Sequence, residues 1–153
     1  MPTFSLRAAI LSGRLAAVPY AIAAEIDNRI SGMNLDDLAL LGRPFVSNQK
    51  AARKVGFGIH LVNSFAVASL FPVARSVLPG GPVVQGVAYT FVENTLLYPV
   101  AAFEHLHPGI MRAEIGRYFS LKAYLQSIPR HAVFGVVLGL TWDRFARMGE
   151  YAA

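Results

Sequence analysis

Four long apolar stretches, separated by more polar segments, make up most of this chain. They cover residues 8–26, 55–77, 83–103 and 128–145. Each is close to the roughly 20 residues that an α-helix needs to cross the hydrocarbon core of a bilayer. The pattern therefore predicts an all-α fold, a bundle of four transmembrane helices that forms a single integral membrane domain over residues 1–153.

The composition supports a membrane protein independently of these stretches. Charged residues make up 15% of the chain, whereas roughly 25% is usual in soluble domains. A soluble domain of 153 residues would need more charge to cover its surface, because 54% of its residues are hydrophobic. The chain has no cysteine, which excludes disulfides, thiolate nucleophiles and cysteine-bound metal clusters.

The basic residues indicate an orientation in the membrane. With four spans, the two long loops lie on one side, and both termini and the short turn at residues 78–82 lie on the other. Nine lysines and arginines fall on the loop side and five on the terminal side. Because cytoplasmic loops carry the excess of Lys and Arg, we expect the long loops to be cytoplasmic in a bacterial inner membrane. The net charge of +5 then fits contact with membrane lipids and no contact with nucleic acid.

The first apolar stretch resembles a secretory signal in one respect. Arg7 precedes it, and an Ala-Ile-Ala sequence at 21–23 has the form of a cleavage site. Arg14 and Pro19 interrupt its apolar run, however, so we expect the stretch to be retained as the first helix.

The loop before the last span carries an amphipathic pattern. Its apolar residues recur at helical spacing and are opposed by charged ones. This pattern predicts an interfacial amphipathic helix between helices three and four, lying in the headgroup region. A solvated helix packed on the neighbouring loops explains it equally well. The apolar residues are Met111, Ile115, Tyr118, Phe119 and Leu125, and the charged ones are Arg112, Glu114, Arg117 and Lys122.

Small residues recur every four positions in three of the four stretches. Helix one has them at residues 9, 13, 17 and 21, helix two at 64 and 68, and helix four at 135 and 139. Small residues at this spacing let helix backbones approach closely in lipid. We therefore predict tight helix packing along these faces. Since His60 and His131 each precede such a ladder, a duplicated two-helix hairpin is a second interpretation.

Two histidines lie at similar depth in helices two and four. His60 and His131 each follow the start of their apolar stretch by a few residues. On facing helices they could bind the iron of a haem or the metal of a pigment, or they could handle protons, because imidazole titrates near neutrality. The favoured interpretation is structural, with each ring capping a helix start or bonded to a neighbour's backbone carbonyl near the interface. The cofactor is therefore unknown, with haem or pigment not favoured.

A carboxylate lies at the centre of the third stretch. Glu93 would be costly in lipid unless it were paired, neutralised or hydrated. Arg14 has a compatible depth in helix one, so we expect an Arg14–Glu93 contact that fixes helix register. The functional alternative is a proton relay from Glu93 through His60 and Asn63. Asn94, beside Glu93, is a further buried polar candidate.

Several short motifs resemble those of a known class of proteins. They are Ser-Gly-Arg-Leu-Ala-Ala at 12–17, Asp-Leu-Ala-Leu-Leu-Gly at 37–42, a glycine four residues before His60, and His-Ala-Val-Phe-Gly at 131–135. In these motifs the chain resembles small four-helix bacterial inner-membrane proteins of unknown function. The resemblance implies a four-helix membrane fold and no particular activity.

The chain carries no motif of an enzyme. Phosphate-binding glycine loops, dinucleotide fingerprints, zinc-protease helices and serine elbows do not occur in the sequence. We therefore predict a non-enzymatic accessory or structural subunit of a larger membrane complex, whose partners are lipids and other membrane subunits or further copies of itself. The alternative is a haem-ligating, pigment-ligating or proton-handling membrane protein that uses His60, His131 and Glu93.

Overall fold

The computed structural model describes residues 5–150, and their side chains up to residue 148. Over this range the chain forms six α-helices and one 3₁₀ segment and contains no strand, which confirms the all-α prediction. The elements are α1 (Leu6–Ser31), α2 (Asp37–Gly42), α3 (Gln49–Arg75), α4 (Pro82–Leu97), the 3₁₀ segment (Tyr98–Leu106), α5 (Pro108–Met111) and α6 (Leu121–Glu150).

Polar caps set the starts of three helices. The side chains of Ser5, Asp36 and Asn48 accept hydrogen bonds from the backbone N–H three residues later, at 3.0–3.2 Å. Such caps satisfy N–H groups that have no partner within the helix. Asn48 therefore starts α3 well before the apolar stretch at residue 55.

Two of the four predicted spans, α1 and α3, are long and apolar enough to cross a membrane. The regular part of α4 has only 16 residues, or about 24 Å, before the backbone tightens into the 3₁₀ segment. Helix α6 is long enough, but Arg130 lies in its first half and Asp143 and Arg147 near its end. By length and hydropathy, two of the helices are therefore able to cross a membrane.

The predicted amphipathic helix between the third and fourth spans is wrong. Residues 112–120 are irregular, and α6 begins only at Leu121. Two backbone N–H groups of this segment, those of Tyr118 and Phe119, donate to the carboxylate of Glu104 at 2.6 and 2.9 Å. Gly116 N–H donates to the carbonyl of Asn34. Since these N–H groups are bonded to other parts of the chain, they are not free for helical hydrogen bonds.

The long helices run alternately up and down. Helix α1 lies between α3 and α6, and α6 also packs against α4. At one end, the turn end, Arg75 bonds Asp143 at 2.5 Å, so that α3 is tied to α6 beside the 76–81 turn. At the other end, the loop end, Arg53 binds Asp36 at 2.9 Å. The packing of α1 against α3 and α6, and of α6 against α4, gives the order of helices around the bundle as α3, α1, α6 and α4.

The small-residue faces lie at close helix contacts, as predicted. A Cβ placed on Gly135 would lie 2.5 Å from the carbonyl oxygen of Gly86, and one on Gly139 would lie 2.2 Å from that of Pro82. On the other side of the bundle, a Cβ on Gly13 would lie 2.5 Å from the carbonyl oxygen of Ser64. Glycine thus permits the approach of α6 to α4 and of α1 to α3.

An aromatic core holds α3 and α4 together near the turn end. The ring of Phe71 lies 5.6 Å from that of Tyr89 and 5.8 Å from that of Trp142. The hydroxyl of Tyr89 donates to the carbonyl of Val67 at 2.7 Å. Toward the loop end the two helices no longer pack closely, and they enclose a cavity instead.

Candidate ligand-binding cavity

The cavity between α3 and α4 has a volume of about 780 Å³, which is within the range of small-molecule sites, roughly 300–1,000 Å³. Its lining is mostly apolar. A cluster of polar side chains, which we call the polar floor, belongs to four different helices. These residues are Tyr20, His60, Asn63, Glu93 and His131.

Within the polar floor, His131 of α6 faces Glu93 of α4. Its Nδ1 lies 2.9 Å from the carbonyl oxygen of Ser127, and because a carbonyl oxygen only accepts, Nδ1 carries the hydrogen. The other ring nitrogen, Nε2, lies 3.7 Å from Oε2 of Glu93. The two side chains therefore face each other across a gap slightly longer than a direct hydrogen bond.

His60 uses one nitrogen in the same way. Its Nε2 lies 3.2 Å from the carbonyl oxygen of Ala17 and therefore donates its hydrogen to α1. In the neutral ring, Nδ1 is then left as an acceptor. His60 bonds a carbonyl of the neighbouring helix α1, as the structural interpretation predicts, whereas His131 bonds a carbonyl of its own helix. Both histidines also line the cavity.

The ring of Tyr20 lies beside both histidines. Its centroid is 4.9 Å from that of His60 and 5.2 Å from that of His131. The Tyr20 hydroxyl donates to Oδ2 of Asp37 at 3.1 Å. Nothing in the sequence distinguished this tyrosine, although it joins the two predicted residues to each other and to the loop end.

The geometry does not fit a haem held between His60 and His131. The Tyr20 ring packs against both imidazoles, so a protein side chain already occupies the space beside each of them. In addition, Nε2 of His60 is bonded to the backbone of α1. Within residues 5–148, no group of three or more His, Asp or Glu side chains is arranged to hold a metal ion.

Next to the cavity, a buried ionic cluster closes the loop end, and we call it the loop-end network. Arg130 is only 2% exposed. Its Nη1 donates to Oδ2 of Asp37 at 2.8 Å and its Nε to Oδ2 of Asp27 at 2.8 Å. The Tyr118 hydroxyl donates to the second oxygen of Asp37 at 3.0 Å. Burial and the neighbouring Asp37 carboxylate raise the pKa of Tyr118 well above its ordinary value, so its hydroxyl stays a donor.

The loop-end network was not predicted from the sequence. Asp27 and Asp37 are separated from Arg130 by 103 and 93 residues, and each belongs to a segment with the pattern of an ordinary polar loop. The available signal was Arg130 itself, since an arginine inside an apolar helix needs an acidic partner.

A second carboxylate at the cavity rim, Glu104, orders the irregular segment. Burial raises its pKa, but hydrogen bonds from the N–H of Phe119, the guanidinium of Arg117 and the N–H of Tyr118 outweigh burial and lower it below its ordinary value. Glu104 is therefore an ionised structural anchor with its lone pairs in use.

The other predicted polar residues are not all in the cavity. The predicted Arg14–Glu93 contact is wrong, because Arg14 is exposed and α6 lies between α1 and α4. Asn63 is exposed at the cavity rather than buried. Asn94 is buried and donates to the hydroxyl of Ser127 at 2.8 Å, where it joins α4 to α6.

Comparisons with protein-family models, with curated proteins and with solved structures gave no match to this chain.

Proposed function

We propose that this chain is a non-enzymatic, multi-pass integral membrane protein that binds a small amphipathic molecule in the cavity between α3 and α4. The proposal has two parts, the membrane location and the ligand site. Each is supported by its own observation and has its own test.

The membrane location is supported by large apolar side chains exposed on every long helix. Monomeric soluble proteins rarely expose contiguous apolar patches larger than a few hundred Å², whereas lipid-facing helices are apolar on their outer surface. The exposed residues include Leu15, Val18, Ile22, Ile26 and Ile30 on α1, Val55, Val62, Leu70 and Val73 on α3, Val84, Phe91, Val92 and Leu96 on α4, and Leu125 and Leu140 on α6.

In the proposed topology, α1, α3, α4 with the start of the 3₁₀ segment, and α6 cross a bacterial inner membrane. The loop end, which carries most of the basic residues, is cytoplasmic. Glu104, the loop-end network and the 112–120 segment then lie at the cytoplasmic interface, and the polar floor lies within the membrane.

Single cysteines test this topology cleanly, because the chain has none of its own. Lys50 is exposed at the loop end and Gly81 at the turn end. In intact spheroplasts, a membrane-impermeant maleimide is expected to label the Gly81→Cys variant but to label Lys50→Cys only after permeabilisation. The opposite labelling would reverse the orientation, and labelling of both in intact spheroplasts would overturn the spanning arrangement.

The ligand site rests on one observation, the polar floor inside an otherwise apolar cavity. Ligand sites commonly combine apolar walls with a few convergent polar groups. Here Glu93 and the free nitrogens of His60 and His131 supply those groups. The apolar residues at the mouth lie on α4 and the 3₁₀ segment and are exposed, which gives an amphipathic molecule a path from the lipid.

Two neighbouring tryptophan substitutions test the ligand site. Asn63 lines the cavity, whereas the adjacent Val62 is exposed and lies outside its lining. In native mass spectrometry of the protein purified in mild detergent, we expect a bound small molecule in the wild type and in Val62→Trp, and its loss in Asn63→Trp. Equal retention by both variants would contradict binding in this cavity.

A second candidate function, proton handling, is favoured by the pairing of Glu93 with His131. The two groups are 3.7 Å apart and both line the cavity, so a proton could pass between them through one bridging molecule. Proteoliposomes with an internal pH dye test this function. A proton flux that is lost in Glu93→Gln would support it, and an absence of flux in the wild type would rule it out.

The accessory-subunit role inferred from the sequence stays a prediction. Gentle co-purification followed by mass spectrometry tests it, since a stoichiometric membrane partner would be retained.

A further inference from the structure

We propose that the cavity selects a neutral lipid whose head carries a free hydroxyl group, which hydrogen-bonds between Glu93 and His131. This inference rests on the proposed function, and it adds the chemical class of the ligand. It is carried by the charges, the hydrogen-bonding capacity and the wall residues of the cavity.

The charges of the lining disfavour an anionic head. Among the described residues that line the cavity there is no lysine or arginine. Its two carboxylates are Glu93 and Glu104, and Glu104 is already bonded to Arg117 and to two backbone N–H groups. A phosphate head would therefore bring a buried negative charge next to Glu93 with no cation to bind it.

The hydrogen-bonding groups of the polar floor that remain free are acceptors, so the ligand head must supply a donor. His60 and His131 donate hydrogen bonds from their ring N–H groups to the carbonyls of Ala17 and Ser127. This leaves two ring nitrogens and the Glu93 carboxyl facing the cavity. A head that carries only ester or ether oxygens would leave these groups without partners, and leaving buried polar groups unsatisfied weakens binding.

A hydroxyl group in the cavity can bridge Glu93 and His131 from the side. Their facing atoms are 3.7 Å apart, too far for a strong direct hydrogen bond. A hydroxyl both donates and accepts, so it can bond the two side chains at once, whichever of them holds a shared proton. An ammonium group has no acceptor, so it could not bond whichever of the two side chains holds the shared proton.

The walls of the cavity favour a lipid over a water-soluble alcohol. The mouth is lined by four apolar residues that are each more than half exposed, and in the proposed topology they face the hydrocarbon of the bilayer. An acyl chain attached to the head can lie along them. These residues are Leu97, Val100, Phe103 and Leu106.

Three lipids that share their acyl chains and differ only in the head test the inference. They are a 1,2-diacylglycerol with a free hydroxyl, its acetyl ester without a donor, and the corresponding phosphatidic acid. In phosphatidylcholine nanodiscs analysed by native mass spectrometry, we expect one diacylglycerol per protein. The acetyl ester and phosphatidic acid are expected to bind at least about tenfold more weakly.

Substitutions in the floor locate the selectivity. Glu93→Leu and His131→Phe remove the acceptors but keep apolar volume, so both are expected to abolish the preference for diacylglycerol over its acetyl ester. Glu93→Ala, which also removes the acceptor, serves as the second variant if Glu93→Leu does not fold. His105→Phe is the control, because His105 is exposed and lies outside the cavity lining, and it is expected to keep the preference.

The outcomes separate this inference from the proposed function. Equal binding of diacylglycerol and its acetyl ester, or a preference for phosphatidic acid, would overturn hydroxyl recognition while leaving the cavity as a ligand site. Binding of no probe, together with equal ligand retention in Asn63→Trp and Val62→Trp, would overturn both.

Discussion

Arg130 and Asp37 form a buried hydrogen bond of 2.8 Å although 93 residues separate them in sequence. The same guanidinium bonds Asp27 through Nε. One side chain of α6 thus joins the end of α1 to the start of α2. Since Asp37 also accepts from Tyr20, this pair connects the loop end of the bundle to the floor of the cavity.

We predict that Arg130→Ala strongly lowers thermal stability in detergent. Removing the cation leaves Asp27 and Asp37 as unpaired acids in a partly buried site, and breaking a buried pair in this way typically costs about 3–5 kcal/mol. Arg130→Lys should fall between Arg130→Ala and the wild type, because one ammonium cannot reproduce the forked geometry that reaches both acids.

Arg144 on the same helix is the control for Arg130. It is exposed, so Arg144→Ala is expected to leave the melting temperature nearly unchanged. If Arg130→Ala melted at the wild-type temperature, the loop-end network would contribute nothing to stability.

The contact between α4 and α6 gives a second prediction. In Gly135→Ala, the new Cβ would lie 2.5 Å from the carbonyl oxygen of Gly86 and 2.6 Å from Oγ1 of Thr90, so the two helices must separate. Overpacking of this kind costs about 1–3 kcal/mol. By contrast, a Cβ added to Gly58 on α3 would meet no atom within 4 Å.

Gly58→Ala is therefore the matched control, and it should be neutral or stabilising by up to about 1 kcal/mol, because alanine favours helix more than glycine does. Melting temperatures of both variants in the same detergent check the prediction. A lower melting temperature for Gly58→Ala than for Gly135→Ala would contradict the close helix contact.

The third prediction concerns the pH dependence that Glu104 confers. Its pKa in the folded protein lies below the ordinary value of 4.5, so ionised Glu104 adds stability above the unfolded pKa. That contribution is lost as the pH falls from about 4.5 through the folded pKa. Glu104→Gln should lower the melting temperature at neutral pH and reduce its fall on acidification.

Melting curves from about pH 7 down to about pH 3 compare wild type with Glu104→Gln. Proteolysis at the 112–120 segment gives an independent readout, because Glu104 holds the N–H groups of Tyr118 and Phe119. The same acid dependence in both proteins would show that Glu104 is not the group responsible.

The sequence predicted those features that depend on periodicity along one helix. The all-α fold and the close packing at Gly13, Gly135 and Gly139 follow from hydropathy and from the spacing of small residues. A glycine in such a ladder marks a close contact in the sequence itself, because only a residue without a side chain lets another backbone approach.

Features that depend on which helices are neighbours could not be predicted in the same way. Hydropathy gives the depth of Arg14 and Glu93 but not the order of the helices around the bundle, and α6 separates their helices. The segment 112–120 has helical periodicity, yet Glu104, a residue of the preceding 3₁₀ segment, binds its backbone. Likewise, Tyr20 gains its importance only from residues of three other helices.

The last prediction separates the observed partner of Glu93 from the one expected from the sequence. Double-mutant cycles of Glu93→Gln with His131→Gln and with Arg14→Gln are measured by unfolding in detergent micelles. Because Glu93 and His131 face each other at 3.7 Å, their effects should be non-additive by about 0.5–3 kcal/mol. Arg14 is exposed on α1, which α6 separates from α4. Its effect should therefore add to that of Glu93→Gln within about 0.5 kcal/mol. Strict additivity for the Glu93–His131 cycle would mean that the two groups do not interact, and the proposed hydroxyl bridge between them would lose its basis.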